Sequence, residues 1–492
     1  MKHLFELNKL ALITGLALAL FLAGCTVGPK YSKPSVATPV SYKELSETRA
    51  REGWKEAEPR DGVIRGDWWT IFGDSELNSL EERLNRNNQN IAVSFQNYMA
   101  ARALVRNARS SLFPTVSVGF SATHTAVGPG STIRASNSIS QSSYELPLDV
   151  SWEPDLFGRI RNTIREYANA AQVSAANLAN ERLSEQASLA EYFFELRGQD
   201  ALAQIYNETV KSYEETLKLT QSLVETGINS QQDVVQAETN LRTARANATS
   251  IGIARAQYEH AIALLIGQPA SDFSIAVRPL DTKPPAIPTG LPSQLLERRP
   301  DIAAAERTMA EANALIGVGK AAYYPTVSLS GSAGTQTSSI GSLLSWPARF
   351  WSLGGSVSET VLDFGARRAT VQQYEAQYNA DVATYRQTVL NAFKEVEDYL
   401  ASTRILAAQL GEQEQAIESS RQYRDIAVAR YQTGVDTYLN VLTAQNTLLS
   451  NQLSEVTART SQMTTSVQLI AALGGGWDVT KLPSEKDVRA AR

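Results

Sequence analysis

Residues 429–456 read ARYQTGVDTYLNVLTAQNTLLSNQLSEV, a tight turn signal followed by an amphipathic segment. Thr433-Gly434 joins two helix-like sequences with no loop residues around it, which predicts two long helices that meet at a tip. After the turn, apolar residues recur at intervals of three, four and seven, which predicts one buried stripe along a long helix. Asn446 interrupts this stripe. Its members are Leu439, Leu442, Leu449, Leu453 and Val456.

The same pattern occurs earlier in the chain, which indicates an internal duplication. Three pairs of landmarks are separated by 207 residues: Gly227 and Gly434, Gly267 and Gly474, and the Phe-Gly dipeptides at 157–158 and 364–365. The sequence Pro-Thr-Val-Ser occurs at 114–117 and at 325–328, an offset of 211. The difference predicts a first β-hairpin about four residues longer than the second. One register kept over several landmarks is typical of a repeated structural unit.

Composition limits the classes of function. The chain has 492 residues and a formal net charge of −5, which argues against nucleic acid as a partner. It contains one cysteine, so an internal disulfide and a thiolate metal site are excluded. His124 and His260 have no partner at ligand spacing. No catalytic triad, metal motif or phosphate loop is present, so we expect neither an enzyme nor a metal protein.

The amino terminus resembles the export signal of a bacterial lipoprotein. Two lysines precede an apolar run at 10–22 that is short for a membrane span and typical of a secretory signal. The sequence Leu-Ala-Gly-Cys at 22–25 resembles a lipobox, which implies an N-acyl diglyceride lipid on Cys25. An ordinary signal peptide with a stray cysteine is the alternative. Thr26 stands where lipoproteins of the inner membrane usually carry aspartate, which points to the outer membrane.

The rest of the chain divides at changes of composition and period. We expect a lipoprotein signal peptide at 1–24, a lipid-anchored tether at 25–66, a first repeat at 67–267, a Pro-rich linker at 268–292, a second repeat at 293–474 and a C-terminal tail, polar and peripheral, at 475–492. Each repeat reads as a helix, a β-hairpin and a long helical hairpin. In the first repeat, the helical region at 161–266 is predicted to break near Gly198 and to turn at Gly227.

Alternating residues predict two strands in each repeat. In the first repeat, Val116, Val118 and Phe120 alternate with small polar residues, and a second alternating run ends at Trp152. Four strands of about ten residues have the length that crosses an outer membrane, where only a closed barrel is tolerated. Four strands cannot close, so several chains must share one barrel. Two chains would give a filled interior, whereas three would give about twelve strands around an aqueous path. The small polar residues facing inward favour three or more.

Several motifs resemble the outer-membrane factor family of TolC-like channels, and within it the OprM/NodT lipoprotein branch. The resemblance covers nearly the whole chain and rests on CTVGPKY at 25–31, WW at 68–69, LERRPDIAAAE at 296–306, YPT at 324–326 and YQTGVD at 431–436. It implies a homotrimer with a twelve-stranded β-barrel in the outer membrane, continuous with a twelve-helix periplasmic tunnel, which is a mixed α/β membrane protein. It also implies partners, a periplasmic adaptor and an inner-membrane pump, and passive release of small molecules such as drugs or metals.

The resemblance also implies a gate at the helix tips. An aspartate ring constricts the entrance in this branch, and the matching residue is Asp436, whose counterpart in the first repeat is Asn229. Tyr431 and Tyr438 are candidates for contacts that hold the closed state. The alternative for Asp436 is a helix N-cap just after Gly434, and both roles can hold together.

Further along the tip region, this chain departs from the family pattern. Enteric channels carry two acidic residues further along the second helix, where this chain has Asn440 and Thr443. Asp233, the counterpart of Asn440, is the only nearby acid. The resemblance implies adaptor contact at Thr226, Gly227, Ile228, Thr433, Gly434 and Val435. Local packing is the alternative use of Ile228 and Val435.

A second class of function fits the long helices alone. A lipid-anchored coiled-coil scaffold or adhesin would need no pore. The four alternating strands at matching places in the repeats favour the channel. Arg298 and Arg299 are expected to form structural ion pairs around the helices.

Overall fold

The computed structural model describes residues 26–45, 66–127, 139–287 and 294–490. The predicted signal peptide and Cys25 lie outside the described residues.

The first repeat follows the predicted order of elements. It contains α1 (Ser75–Asn87), α2 (Gln89–Ser110), β1 (Thr115–Val118), β2 (Ser121–Val127), β3 (Ile139–Trp152), α3 (Arg159–Glu225) and α4 (Gln231–Leu265). A short 3-10 helix precedes α1. The single helix predicted here is divided at Asn88, which leaves the helical conformation at a ψ of 127°. Its side chain accepts from the backbone N–H of Ile91 at 2.9 Å and so caps α2.

The second repeat has the same order. It contains α5 (Leu295–Arg298), α6 (Pro300–Ala321), β4 (Thr326–Thr337), β5 (Arg349–Ser358), α7 (Ala366–Gln432) and α8 (Tyr438–Ala472), and α9 (Glu485–Ala490) follows it. Helices α3 and α7 have 67 residues each, and α4 and α8 have 35 each. At about 1.5 Å per residue, α3 and α7 are roughly 100 Å long.

Helix boundaries confirm the duplication. The first and last residues of α3 and α7 differ by 207, as do those of α4 and α8, whereas those of α2 and α6 differ by 211. The four extra residues therefore lie between α2 and α3. Strand β3 has 14 residues and β5 has 10, which accounts for the longer hairpin of the first repeat.

The strands form one antiparallel sheet in which β1 and β2 both pair with β3, β3 pairs with β4, and β4 pairs with β5. The predicted first strand is interrupted because Pro147 of β3 lies opposite Gly119 and has no N–H to donate. Gly119 still donates to the Pro147 carbonyl at 3.1 Å. The register is the same on both sides, so β1 and β2 occupy one strand position and each repeat supplies two, as predicted.

The sheet has one apolar face and one polar face. Cross-strand partners project from the same side, so the pairings assign each residue to a face. One face is rich in serine and glycine: Ser117, Ser151, Ser328, Ser330, Ser332, Ser352, Gly354 and Ser356. The other face carries Val116, Val118, Leu148, Leu329, Trp351, Leu353 and Val357, all exposed in the chain.

Helix α3 runs through Gly198 without a break, so the predicted break at this glycine is wrong. Gly198 lies where α3 meets α8: a Cβ added there would lie 2.5 Å from Oγ1 of Thr460. The glycine therefore permits close approach of two helices rather than a turn. In the described ranges, no helix combines the length and apolar content needed to cross a bilayer.

Residues 26–45, which we call the strap, pack along the helices rather than form a free tether. The backbone N–H of Val27 donates to the carbonyl of Phe157 at 3.1 Å, where the sheet passes into α3. At the other end of the strap, Glu44 pairs with Arg404 at 2.7 Å. The strap therefore spans from the sheet–helix junction to the middle of α7.

The C-terminal tail also packs against the body of the protein. Val488 in α9 is buried with Val105 and Ala171, and Gln172 donates to the carbonyl of Pro483 at 2.9 Å.

The main core lies around α1, α3, α7 and α8. Here Arg299 pairs with Asp301 and Glu395, each at 2.7 Å, as its predicted structural role requires.

The stripe predicted on α8 is partly out of phase. Leu442 and Val456 are buried, but Leu439 is 60% exposed and Leu449 is half-buried. The buried face instead includes Tyr438, Val441, Ala444, Gln445 and Leu448. The difference arises because the second hairpin packs through a face that mixes small, polar and aromatic residues.

Candidate functional site

Both long helical hairpins end in the same turn. In the first, Gly227 adopts a φ of 79° and Ile228 N–H donates to Leu223 O at 2.9 Å. In the second, Gly434 adopts a φ of 71° and Val435 N–H donates to the Arg430 carbonyl at 3.0 Å. This six-residue closure with a left-handed glycine is a Schellman motif, which ends a helix and reverses the chain in few residues.

The two tips lie side by side. A Cβ added to Gly434 would lie 3.3 Å from Cγ2 of Ile228, so the turn of one hairpin touches the turn of the other. Ile228 is 56% exposed and Val435 is 67% exposed. Thr226 and Thr433 stay local: their hydroxyls donate to carbonyls of Leu223 and Arg430 in their own helices, each at 2.9 Å.

Asp436 lies two residues before the first residue of α8 and accepts hydrogen bonds from three donors. Its carboxylate accepts from the backbone N–H of Thr437 at 2.9 Å, from the side chain of Asn440, and from Arg430 Nε at 3.2 Å. These bonds lower the pKa of Asp436 below its ordinary value, and the bond from Asn440 contributes most to the shift. Thr437 occupies the N-cap position itself, so Asp436 supports the helix start from one residue before it.

Tyr431 joins the two hairpins. It is fully buried, its hydroxyl donates to Thr220 Oγ1 at 3.0 Å, and it accepts from the Asn229 amide at 2.7 Å. Burial raises its pKa, so the hydroxyl remains protonated at neutral pH. The ring of Tyr438 lies 6.0 Å from that of Tyr431, and its hydroxyl accepts from Asn240 at 3.3 Å.

Polar contacts continue along α3 and α8 above the tip. Gln445 donates to Thr216 at 2.8 Å, and the Tyr213 hydroxyl donates to Asn446 at 2.8 Å. The sequence pattern does not predict that Thr216, Thr220, Gln445 and Tyr213 belong to this contact. The one available signal was Asn446, which interrupts the apolar stripe.

The remaining predicted residues occupy distinct places. Asn440 bonds to Asp436, and the Thr443 hydroxyl donates to the Leu439 carbonyl within α8 at 2.8 Å. Asp233 accepts from the backbone N–H of Ser230 at 3.4 Å and so caps α4. Among the described residues, no group of three or more His, Cys, Asp or Glu could hold a metal ion.

An amphipathic antiparallel sheet that continues into helical hairpins of about 100 Å defines a class of membrane channel protein with a long extension outside the bilayer. The sequence model described as Outer membrane efflux protein matches residues 80–268 and 291–475, one match in each repeat. The chain therefore belongs to the outer membrane efflux protein family, a family of transport proteins.

Relatives and solved structures agree with this assignment. The antibiotic efflux pump outer membrane protein ArpC of Pseudomonas putida is 32% identical over 468 residues, covering 93% of this chain and 94% of ArpC. Outer membrane protein OprJ of Pseudomonas aeruginosa is 29% identical, covering 95% and 96%. The structure of the outer-membrane channel OprN has a TM-score of 0.84 at 30% identity and covers 92% of this chain and all of that one. The open state of the MtrE channel of Neisseria gonorrhoeae has a TM-score of 0.81 at 26% identity, covering 92% and 99%.

These findings favour the efflux channel over the lipid-anchored scaffold or adhesin. The chain is an outer-membrane channel protein of an efflux system, and the scaffold or adhesin without a pore is not supported.

Proposed function

We propose that three copies of this chain assemble one continuous channel that conducts small molecules passively across the outer membrane. The observation that carries the proposal is the open sheet. Among the described residues, β1 and β2 pair only with β3, and β5 pairs only with β4. Both outer edges therefore expose backbone donors and acceptors that a neighbouring copy can satisfy. With four strand positions per chain, three copies give about twelve strands, which leaves an aqueous interior.

The two faces of the sheet support this arrangement. The face with Trp351 and Leu353 has the chemistry of a lipid-facing surface, and the face with Ser330, Ser332 and Ser352 has that of a wet lumen. In the same assembly, α3, α4, α7 and α8 of each copy contribute to a twelve-helix periplasmic tunnel.

The helix tips are the proposed gate. Asp436 from three copies would place three carboxylates near one axis, where they would repel one another and favour cations. Tyr431 and Tyr438 hold the tip of the second hairpin against the first in the closed state. Opening requires the contact of Tyr431 with Thr220 and Asn229 to break or to move as a unit.

The tips are also the proposed docking surface for a periplasmic adaptor, which links the channel to an inner-membrane pump. The exposed apolar side chains of Ile228 and Val435 support this role, because each protrudes from a turn of small and polar residues.

The names of the relatives include antibiotic and toluene efflux pumps, so small organic molecules are the proposed cargo. The chain itself has no catalytic part in transport.

An N-acyl diglyceride lipid on Cys25 is proposed to anchor each copy in the membrane. The neighbouring residue Thr26 packs on Gly158: a Cβ added to Gly158 would lie 2.9 Å from Cα of Thr26. This contact lies where the sheet passes into α3. An acyl group on the preceding residue would therefore start at the level where lipid begins.

Purified full-length protein in a planar bilayer tests the proposal. We expect a trimer by native mass spectrometry and discrete conductance steps after insertion. A monodisperse monomer that produces no conductance would overturn the assembly and the channel together.

A further inference from the structure

A polar cavity of about 540 Å³ lies between the strap and helices α3 and α6. The strap forms one wall and is fixed by two bonds: Asn162 donates to the Val27 carbonyl at 2.9 Å, and Asn313 donates to the Pro29 carbonyl at 3.1 Å. Near Gly28 the strap lies so close to α6 that an added Cβ would be 2.8 Å from Cα of Gly317. The cavity is therefore built by specific contacts on both sides.

The lining carries excess positive charge. Lys30, Arg165 and Arg307 line the cavity, against one acidic residue, Glu485. Arg307 is paired with Glu306, and Glu485 is paired with Arg489 of its own helix.

The other two cations are not compensated in this way. Within the described ranges, no carboxylate oxygen lies within 4.0 Å of the charged nitrogens of Lys30 or Arg165. Arg165 instead donates to the neutral side-chain amide of Asn162 at 3.0 Å. The acidic side chains of Glu166 and Glu311, on the same helices, do not line the cavity.

From this cavity, we propose that the protein binds the phosphate of an anionic phospholipid headgroup from the periplasmic leaflet, with Arg165 and Lys30 as the ligands. The proposal rests on the proposed anchoring of Cys25, because the cavity begins at Thr26 and an acyl anchor fixes this end of the strap at the lipid surface. Arginine offers planar paired donors to phosphate oxygens, and lysine adds a mobile point charge. Basic pockets at the membrane boundary bind lipid headgroups in this way.

Binding of phosphatidylglycerol to delipidated, detergent-solubilised full-length trimer tests the proposal, with phosphatidylcholine, which carries a phosphate but no net charge, as the comparison. We expect Arg165→Gln to weaken phosphatidylglycerol binding about tenfold, or about 1.4 kcal/mol. Arg165→Lys should restore part of the affinity, because lysine keeps the charge but not the paired donors. The matched control is Arg182→Gln, also exposed on α3 and without an ion pair among the described residues. It should bind as the wild type does.

Two outcomes of the binding measurement would contradict the proposal. Equal binding of phosphatidylglycerol by wild type and Arg165→Gln would show that Arg165 is not a ligand and would overturn the proposed site. Arg165-dependent binding of inorganic phosphate without binding of phosphatidylglycerol assigns the cavity to a free anion instead. If Arg165→Gln fails to assemble, Lys30→Gln on the exposed strap gives the same test. Conductance is measured separately, and Arg165→Gln should conduct as the wild type does, so a silent wild-type channel would overturn the proposed function without deciding the lipid site.

Discussion

Asn229 and Asp436 occupy equivalent positions in the two repeats, 207 residues apart, but bond in different directions. The Asn229 amide reaches out of its hairpin to the hydroxyl of Tyr431 at 2.7 Å. Asp436 keeps its bonds within its own hairpin, to Arg430, Thr437 and Asn440. The duplication thus produced one tip that holds its neighbour and one that carries a charge.

Replacing Asp436 with alanine should raise the conductance of the closed channel. The substitution removes the negative charge from the proposed constriction together with the acceptor of three bonds. Single-channel recordings in a planar bilayer measure the effect, and thermal unfolding is measured in parallel. Unchanged conductance with a lower melting temperature would leave Asp436 only its structural role at the helix start.

Asp233→Ala is the matched control, because it removes an acid that supports the start of α4 at the other tip. It should lower the melting temperature with little change in conductance.

Bonds to Asp436 lower its pKa below the ordinary 3.8, so this carboxylate contributes stability that is present above its unfolded pKa and lost as pH falls through its folded pKa. The difference in melting temperature between wild type and Asp436→Ala should therefore stay constant from about pH 7 to 5 and shrink only at lower pH. A difference in melting temperature that shrinks near neutral pH would contradict this assignment.

Replacing Tyr431 with phenylalanine should loosen the contact between the hairpins. The variant keeps the buried ring but leaves Thr220 and Asn229 without their shared partner, at a cost of about 1–2 kcal/mol. Tyr438→Phe should cost less, since its only described bond is the longer one of 3.3 Å from Asn240. Thermal unfolding and closed-state conductance should change in the same order. A larger effect of Tyr438→Phe would contradict the role given to Tyr431.

The exposed apolar residues of the tips should serve docking rather than conduction. Ile228→Gln with Val435→Gln removes the apolar side chains from the surface proposed to contact an adaptor without adding charge beside Asp436, so cells should lose most efflux of a fluorescent substrate. The purified variant should conduct as the wild type does in a bilayer. Val40→Gln, at a 93% exposed position on the strap, is the matched control and should leave efflux intact. Loss of conductance as well would assign the two residues to local packing.

Much of the fold could be predicted because the duplication makes each landmark appear twice. Gly227 and Gly434 stand at turns where the backbone adopts a left-handed conformation, which glycine accepts readily. The sequence therefore predicts the position of both helix tips. The alternation of small polar and apolar residues predicts the strands, because the two faces of the sheet lie in different surroundings.

Other features depend on contacts that a linear pattern does not record. Leu439 fits a helical stripe by spacing, yet it lies outside the packed face because Tyr438 and Gln445 occupy that face. Gly198 resembles a helix break and is instead a point of close approach. The cross-hairpin bonds of Tyr431 join residues more than 200 positions apart, so their polar partners had no local signal.

Replacing Cys25 with serine should abolish acylation while leaving the trimer assembled. The strap has its own attachments, such as the bonds from Val27 to Phe157 and from Asn162 to Val27, so the lipid is not required to hold it in place. Intact-mass measurement reports the missing lipid, and native mass spectrometry of the outer-membrane fraction reports assembly. Complete loss of the trimer would show that insertion depends on the lipid.

Replacing Gly198 with alanine should destabilise the protein although alanine favours helices. The new Cβ would lie 2.5 Å from Oγ1 and 2.9 Å from Cγ2 of Thr460, so α3 and α8 must separate, at a cost of about 1–3 kcal/mol. Thr460→Ala in the same chain removes both atoms and should recover part of the loss in thermal unfolding. Gly252→Ala, in α4 with open space around it, should instead stabilise by about 0.5–1 kcal/mol. Equal effects of the two glycine substitutions would mean that helix propensity, not packing, governs position 198.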